Sequence, residues 1–363
     1  LQQFRGILNA CREIGSGQVI YVRGEAGLGK TRLSGKFLEI ARQHRYGCPR
    51  ALVLDFGVEK EQGVIRTLLR SLLDLATDSS TELRAQRVEE ALQQGLLDAE
   101  SRVHLNVLLD LPLSVEMHSL YDAMEREQRE RGSIELLTGL LRRLCAQQPR
   151  ILLIEDMHWA NATLLRFLAG LTRSLAESAC VLVMTSRIVG DPLDDQWKQS
   201  LSATPLSTID LAPLRREDAM QLAADIFDTS ARFAEKCVAR AEGNPLYLEQ
   251  LLRSAQEVGE DQVPGSVQSI VQARLDSLSR IDKQAIQAAS VLGQRFTLED
   301  LSYMLDEPQY DAHKLFARHL VKFEGEACLF SHALVQEAVY RSLLRSRRAE
   351  LHRHAAKWYG QRE

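Results

Sequence analysis

Short apolar runs and helical stripes alternate along this chain. Gln18-Val19-Ile20-Tyr21-Val22, Ala51-Leu52-Val53-Leu54-Asp55, Ile151-Leu152-Leu153-Ile154-Glu155-Asp156, Cys180-Val181-Leu182-Val183-Met184 and Ser207-Thr208-Ile209-Asp210-Leu211 have the length of strands. Runs apolar on both faces suit a parallel sheet covered by helices on either side. Stripes at helical spacing lie between them. Phe4, Ile7, Leu8 and Cys11 mark a first helix, which Gly15-Ser16-Gly17 stops, and Leu33, Phe37, Leu38 and Ala41 mark the next. Residues 57–147 read as mostly helical. Val64, Ile65, Leu68, Leu69, Leu72 and Leu73 form one stripe there, and Ile134, Leu137, Leu140, Leu141 and Leu144 another. The mixed-sign run Glu125 to Arg131 between them reads as a solvated helix face with i,i+4 pairs.

After Pro213 the character changes. Arg216 to Val258 is helical, with Met220, Leu222, Ala223 and Phe227 on one stripe. Gly243-Asn244-Pro245 breaks it and starts a helix with Pro245 near its first position and Leu246, Leu248, Leu251 and Leu252 on its apolar face. Pro264-Gly265-Ser266 opens a last segment with helices near 267–278, 281–292 and 298–305, the third headed by a Thr297/Asp300 capping box. A helix near 310–319 leads into Leu320–Phe323, a Glu324-Gly325-Glu326 turn and Ala327–Phe330. A hairpin after helices is the winged-helix order. Phe330-Ser331-His332 then opens a long helix ending in Arg345 to Arg348.

The chemistry begins where the first strand ends. Gly24, Gly29, Lys30 and Thr31 satisfy G-x-x-x-x-G-K-[ST] between that strand and a helix. Glycines let successive backbone N–H groups turn inward, and the helix N-terminus adds positive partial charge, so residues Gly24, Glu25, Ala26, Gly27, Leu28, Gly29, Lys30, Thr31 and Arg32 are expected to cradle phosphates. Lys30 would reach the β- and γ-phosphates, and the Thr31 hydroxyl would ligate Mg²⁺. Four apolar residues followed by Glu155-Asp156 form a Walker B pattern, which delivers acids to the carboxyl edge of a sheet. Glu155 is expected to hold Mg²⁺, through a water, and Asp156 to orient or activate the attacking water; the division between the two acids stays open. Arg187, at the tip of the next strand, suits a γ-phosphate sensor because a guanidinium binds two phosphate oxygens at once. The adjacent His158-Trp159 reads as packing.

Composition changes little. The 363 residues suggest two or three domains, and 45% hydrophobic, 26% charged and a net charge of -4 call for no nucleic-acid partner. Six cysteines without a C-x-x-C pair read as reduced core residues of a cytoplasmic protein. No apolar run approaches the ~18–20 residues of a membrane span. Both ends are expected to be cut from something longer.

Together GEAGLGKTRL, ILLIEDMHWA, VLVMTSR, GNPLYLEQLL and FSHALVQEAVY, in this order, resemble the STAND class of signal-transduction ATPases. The likeness is to the ATPase regions of large LuxR-type regulators and of those fused to bacterial adenylate cyclases. It implies an AAA+-like α/β nucleotide-binding domain (residues 1–212), an all-α lid (213–263), a winged-helix domain (264–345) and the start of a helical region (346–363). It also implies ADP held in a closed form, with Pro245 near the adenine, Arg187 as sensor and His332 on the β-phosphate. Here His332 is followed by Ala333 rather than the Asp of related receptors. The implied function is a slow, Mg²⁺-dependent ATPase switch that opens and self-associates with ATP and acts on an effector beyond this segment. Two alternatives remain: a non-hydrolysing nucleotide-binding scaffold, or an initiator-like ATPase gripping DNA through Arg341, Arg345, Arg347, Arg348 and Arg353. Glu337, Glu350 and Glu363 interleave with those arginines.

Overall fold

The structure, a computed structural model, describes residues 1–53, 63–76, 79–199, 201, 204–226, 231–258, 267–276, 278–318, 320–324 and 327–360, without the side chains of 196, 254–258, 267–270, 273, 324, 333 and 334. The chain divides into two compact units, Leu1–Gly24 with Lys30–Leu211, and Glu25–Gly29 with Ala212–Glu363.

The first unit is built on five parallel strands: β1 (Gln18–Arg23), β2 (Arg50–Leu52), β3 (Arg150–Glu155), β4 (Cys180–Ser186) and β5 (Leu206–Asp210), in the order β2-β3-β4-β1-β5. Every expected strand is present. β2 is shorter than its apolar run, and Leu54 and Asp55 lie outside the described residues. Alternate residues face opposite sides. Ile20, Val22, Ile151, Leu153, Val181 and Val183 pack with helices Gln2–Ile14 and Lys30–Gln43 through Phe4, Leu8, Phe37 and Ala41. Val19, Tyr21, Leu152, Ile154, Leu182 and Met184 pack on the other face with Gly63–Leu72, Arg126–Gln147 and Ala162–Leu175. Leu152 and Leu182 are no more than 1% exposed, so each contributes about 1.5–3 kcal/mol of burial. Gly15 ends the first helix in the left-handed conformation at φ 71°, as its position before β1 predicts.

β1 lies between β4 and β5, while the chain leaving β1 returns at β2 on the far edge. Connections therefore leave the carboxyl ends of β1 and β4 toward opposite sides, which opens a crevice for a ligand. The charged run opens the Arg126–Gln147 helix, where the Gln128 side chain accepts from Glu125 N and Arg126 pairs with Glu130. Glu130 also binds Arg166, so part of that face is tied down.

In the second unit helices Arg216–Ile226, Ala231–Ala241 and Pro245–Val258 share a core of Ala223, Phe233, Cys237, Leu248, Leu251 and Leu252. Phe227 and Pro264-Gly265-Ser266 fall outside the described residues. Helices Val267–Asp276, Arg280–Leu292 and Leu298–Leu305 follow, the last with the expected Thr297/Asp300 capping box. Strands β6 (Arg295–Thr297), β7 (Val321–Glu324) and β8 (Ala327–Phe330) form an antiparallel sheet in the order β6-β8-β7, an element order consistent with a winged helix. β6 is too short to show a period, and only Phe296 in it is buried. The helix expected near 310–319 is only His313–Ala317, because the Asp311 carboxylate accepts the His313 N–H and holds its start there.

The long terminal helix is corrected to two, Ala333–Ser342 and Arg345–Tyr359, so Arg345 to Arg348 begin a helix and do not end one. Leu343 is buried while Leu344 is 76% exposed. The Arg348 guanidinium donates to the Tyr340 and Leu343 carbonyls released at the break. No helix among the described residues is long and apolar enough to cross a membrane. All six cysteines are free, five of them buried.

Candidate nucleotide-binding site

Beyond β1 the backbone takes left-handed φ at Gly27 (85°) and Gly29 (93°), which a residue with a Cβ adopts only at a cost. The helix that follows starts at Lys30, so its unpaired N–H groups lie at the end of the glycine turn. Lys30 Nζ donates to the Gly24 carbonyl at 2.6 Å. Gly24 N in turn donates to Ser186 O at 3.2 Å, tying the end of β1 to that of β4. Thr31 and Arg32 are exposed.

β3 delivers Glu155 and Asp156 to the same edge. Ser34 donates to Glu155 Oε1 at 3.2 Å and to Thr31 O at 3.1 Å, so one buried hydroxyl joins the first helical turn to the acid of β3. Mg²⁺ prefers oxygen ligands and retains several waters. Among the described residues no cluster of three or more His, Cys, Asp or Glu could hold a metal. A divalent ion here would therefore draw on Thr31, Glu155 and the phosphates themselves, and this oxygen-only donor set fits it.

Asp156 lies in the left-handed region, φ 59° and ψ 44°, a strained backbone for a non-glycine. Its N–H donates to the buried Thr185 Oγ1 at 3.1 Å. Burial raises its pKa above the ordinary carboxylate value, opposed by the charges of Lys30 and then Arg187. Arg187 extends from the tip of β4, beside β3. His158 lies in the turn after Asp156, 4.9 Å from the Trp159 ring, in keeping with packing. Its Nδ1 is 3.9 Å from Asp156 Oδ1. Lys30, Thr31, Glu155, Asp156 and Arg187 are thus brought to one edge of the sheet.

Glu25–Gly29 belong with the second unit. Asn244 Nδ2 donates to Ala26 O at 3.0 Å, and Leu246 N to Gly27 O at 3.3 Å. Asn244 Oδ1 accepts Tyr247 N at 3.1 Å, capping the helix that Pro245 begins. A Cβ at Gly27 would stand 2.6 Å from Asn244 Oδ1. Asn244, absent from the residues expected at the site, carries a signal of its own in the sequence, since an Asn one residue before a helix-opening proline is a capping pattern. His332 is exposed at the start of Ala333–Ser342 and does not cap that helix. Of the arginines proposed for DNA, Arg341 pairs with Glu337, Arg347 with Glu350, and Arg348 binds backbone carbonyls.

The profile described as "AAA ATPase domain" matches residues 1–184, half of the chain. The chain belongs to the AAA ATPase domain family. Among curated proteins this chain is similar to uncharacterized protein R02095 of Rhizobium meliloti (strain 1021), 25% identical across 93% of this chain and 34% of the relative. It therefore spans about a third of that relative's length. Among solved structures it resembles a Pyrococcus horikoshii Signal Transduction ATPase with Numerous Domains carrying a tetratricopeptide repeat sensor. That match has a TM-score of 0.59 and 17% identity over 98% of this chain and 44% of the other. The likeness shows a shared fold. Cdc6p of Pyrobaculum aerophilum matches at a TM-score of 0.45, with 12% identity over 99% of this chain and 94% of the other.

Proposed function

We propose that this AAA ATPase binds ATP through Gly24–Arg32 and hydrolyses it slowly as a nucleotide-controlled signalling switch. The observation that carries the reading is that the Ser34 hydroxyl joins the first turn of the helix after the glycine loop to Glu155, with Asp156 next in the chain at the same sheet edge. Phosphoryl transfer needs little more than positioned charge and an oriented water. Lys30 and Arg187 supply positive charge for the γ-phosphoryl oxygens, and Asp156 takes up the proton of the attacking water. A bound Mg²⁺ would neutralise phosphate charge from Thr31 and Glu155. The raised Asp156 pKa makes that carboxylate a better base than an exposed one.

The STAND resemblance extends the proposal. ADP holds a closed form through Pro245 and His332, ATP favours an open form that self-associates, and an effector outside this segment reads the difference. The deciding experiment pairs two variants. Lys30→Ala removes a charge-assisted contact of roughly 1.5–3 kcal/mol, so ATP and ADP affinity should fall about 10- to 100-fold. Asp156→Asn should keep Mg-ATP bound while abolishing turnover. Unaltered nucleotide affinity in folded Lys30→Ala rejects the binding site. Normal turnover in Asp156→Asn rejects the role of that acid.

A further inference from the structure

His158 follows the acids of β3 as a largely buried side chain. Its side chain is 7% exposed, and among the described residues neither ring nitrogen has a hydrogen-bond partner. Buried polar groups in folded proteins are almost always paired, and an exception calls for an explanation, a catalytic role or a bound water among them. The residue that carries His158 into place is itself strained: Asp156, two positions earlier, holds a left-handed backbone at φ 59°. Packing on Trp159 explains the ring's location but not two idle nitrogens.

The spacing to Asp156 identifies what the imidazole can hold. Nδ1 and the Asp156 Oδ1 are 3.9 Å apart, too far for a direct hydrogen bond; both ring nitrogens are closed to solvent here, so a bridging water, about 2.8 Å from each, enters only when the ring turns toward the crevice. We propose that His158 is a water-positioning residue that holds, jointly with Asp156, the nucleophilic water of ATP hydrolysis. This rests on the ATPase reading above. In the step itself, the water oxygen forms a bond to the γ-phosphorus and the bond to the bridging oxygen breaks, its electron pair leaving with ADP. The water proton passes to Asp156, and His158 stays neutral throughout. Its burial and the nearby Arg187 and Lys30 charges favour that neutral form, which keeps one nitrogen as an acceptor and the other as a donor.

The test compares His158→Phe, which preserves ring shape without nitrogens, with His158→Asn, whose amide can still bond a water. His158→Phe should keep ATP and ADP affinity within about twofold while kcat falls about 10- to 100-fold, the scale of a misplaced reactant. His158→Asn should recover most of the loss. Binding of ADP with aluminium fluoride, which mimics the in-line arrangement including the water, should weaken in His158→Phe while binding of ADP alone does not. Wild-type turnover in folded His158→Phe overturns the proposal, as does an equal loss in both variants accompanied by weaker ADP binding. If Asp156→Asn is inactive while His158→Phe is fully active, this inference falls and the ATPase reading stands. A wild-type protein that binds Mg-ATP without turnover overturns both.

Discussion

At the scale of single residues, burial sets the protonation of the groups at the edge of β3. His158 is driven down to about 4, by burial first and by the Arg187 and Lys30 charges next. In the unfolded chain an imidazole titrates near 6.5. Between those values the unfolded state binds a proton that the folded state refuses, so this contribution to stability is full above about 6.5 and is lost as pH falls toward 4. The gap of about 2.5 pH units corresponds to roughly 3 kcal/mol at most. Asp156 acts with the opposite sign, because a raised carboxyl pKa makes folding less favourable as the group ionises. Urea denaturation of wild type and His158→Phe at pH 7 and pH 5 isolates the histidine. Wild type should lose about 2 kcal/mol more than the variant over that interval, and parallel losses would show that His158 does not titrate as its burial requires. From sequence His158 was legible only as a histidine next to a tryptophan. Hydrogen-bond satisfaction depends on neighbours distant along the chain, which no local spacing records.

At the scale of elements, Asn244 performs two tasks with two atoms. Oδ1 caps the Pro245–Val258 helix and Nδ2 holds the Ala26 carbonyl. Asn244→Asp keeps the capping oxygen and removes the donor, whereas Asn244→Ala removes both. Losing the cap costs about 1 kcal/mol. Asn244→Ala should therefore be the less stable variant in denaturation, and both should show faster amide hydrogen exchange at Glu25–Gly29. Equal stability of the two, with exchange unchanged, would mean that the side chain serves neither task. Four strands of the parallel sheet were legible as apolar runs bounded by polar residues, and β5 as a short stretch of β-branched residues ahead of Pro213. β6 and the break at Leu343-Leu344 were not. A three-residue strand has no period to read, and the break carries no Gly or Pro; Arg348 reaches back from the next helix to two carbonyls beside it.

At the scale of the whole molecule, the switch reading depends on His332. Its side chain makes no capping hydrogen bond to its own helix, so a capping role is not what it performs. If it binds the ADP phosphates, losing a charge-assisted hydrogen bond of about 2 kcal/mol should speed ADP release roughly 30-fold in His332→Ala, at nearly unchanged melting temperature. Sedimentation should then show more self-association of the variant in ADP. A destabilised protein with normal ADP release rejects the latch. What the sequence by itself determined are the features governed by local physics. Glycines at positions of left-handed φ, a lysine and threonine opening a helix, and acids after an apolar strand need only their neighbours to be recognised. Tertiary structure alone decided which face each strand residue covers, since an apolar run such as Ile151–Ile154 looks the same from both sides. It also decided that β1 inserts between β4 and β5, which brings Gly24 against Ser186 and opens the crevice. Strand order is set by how helices pack on the two faces of a sheet, and that packing joins residues more than a hundred positions apart.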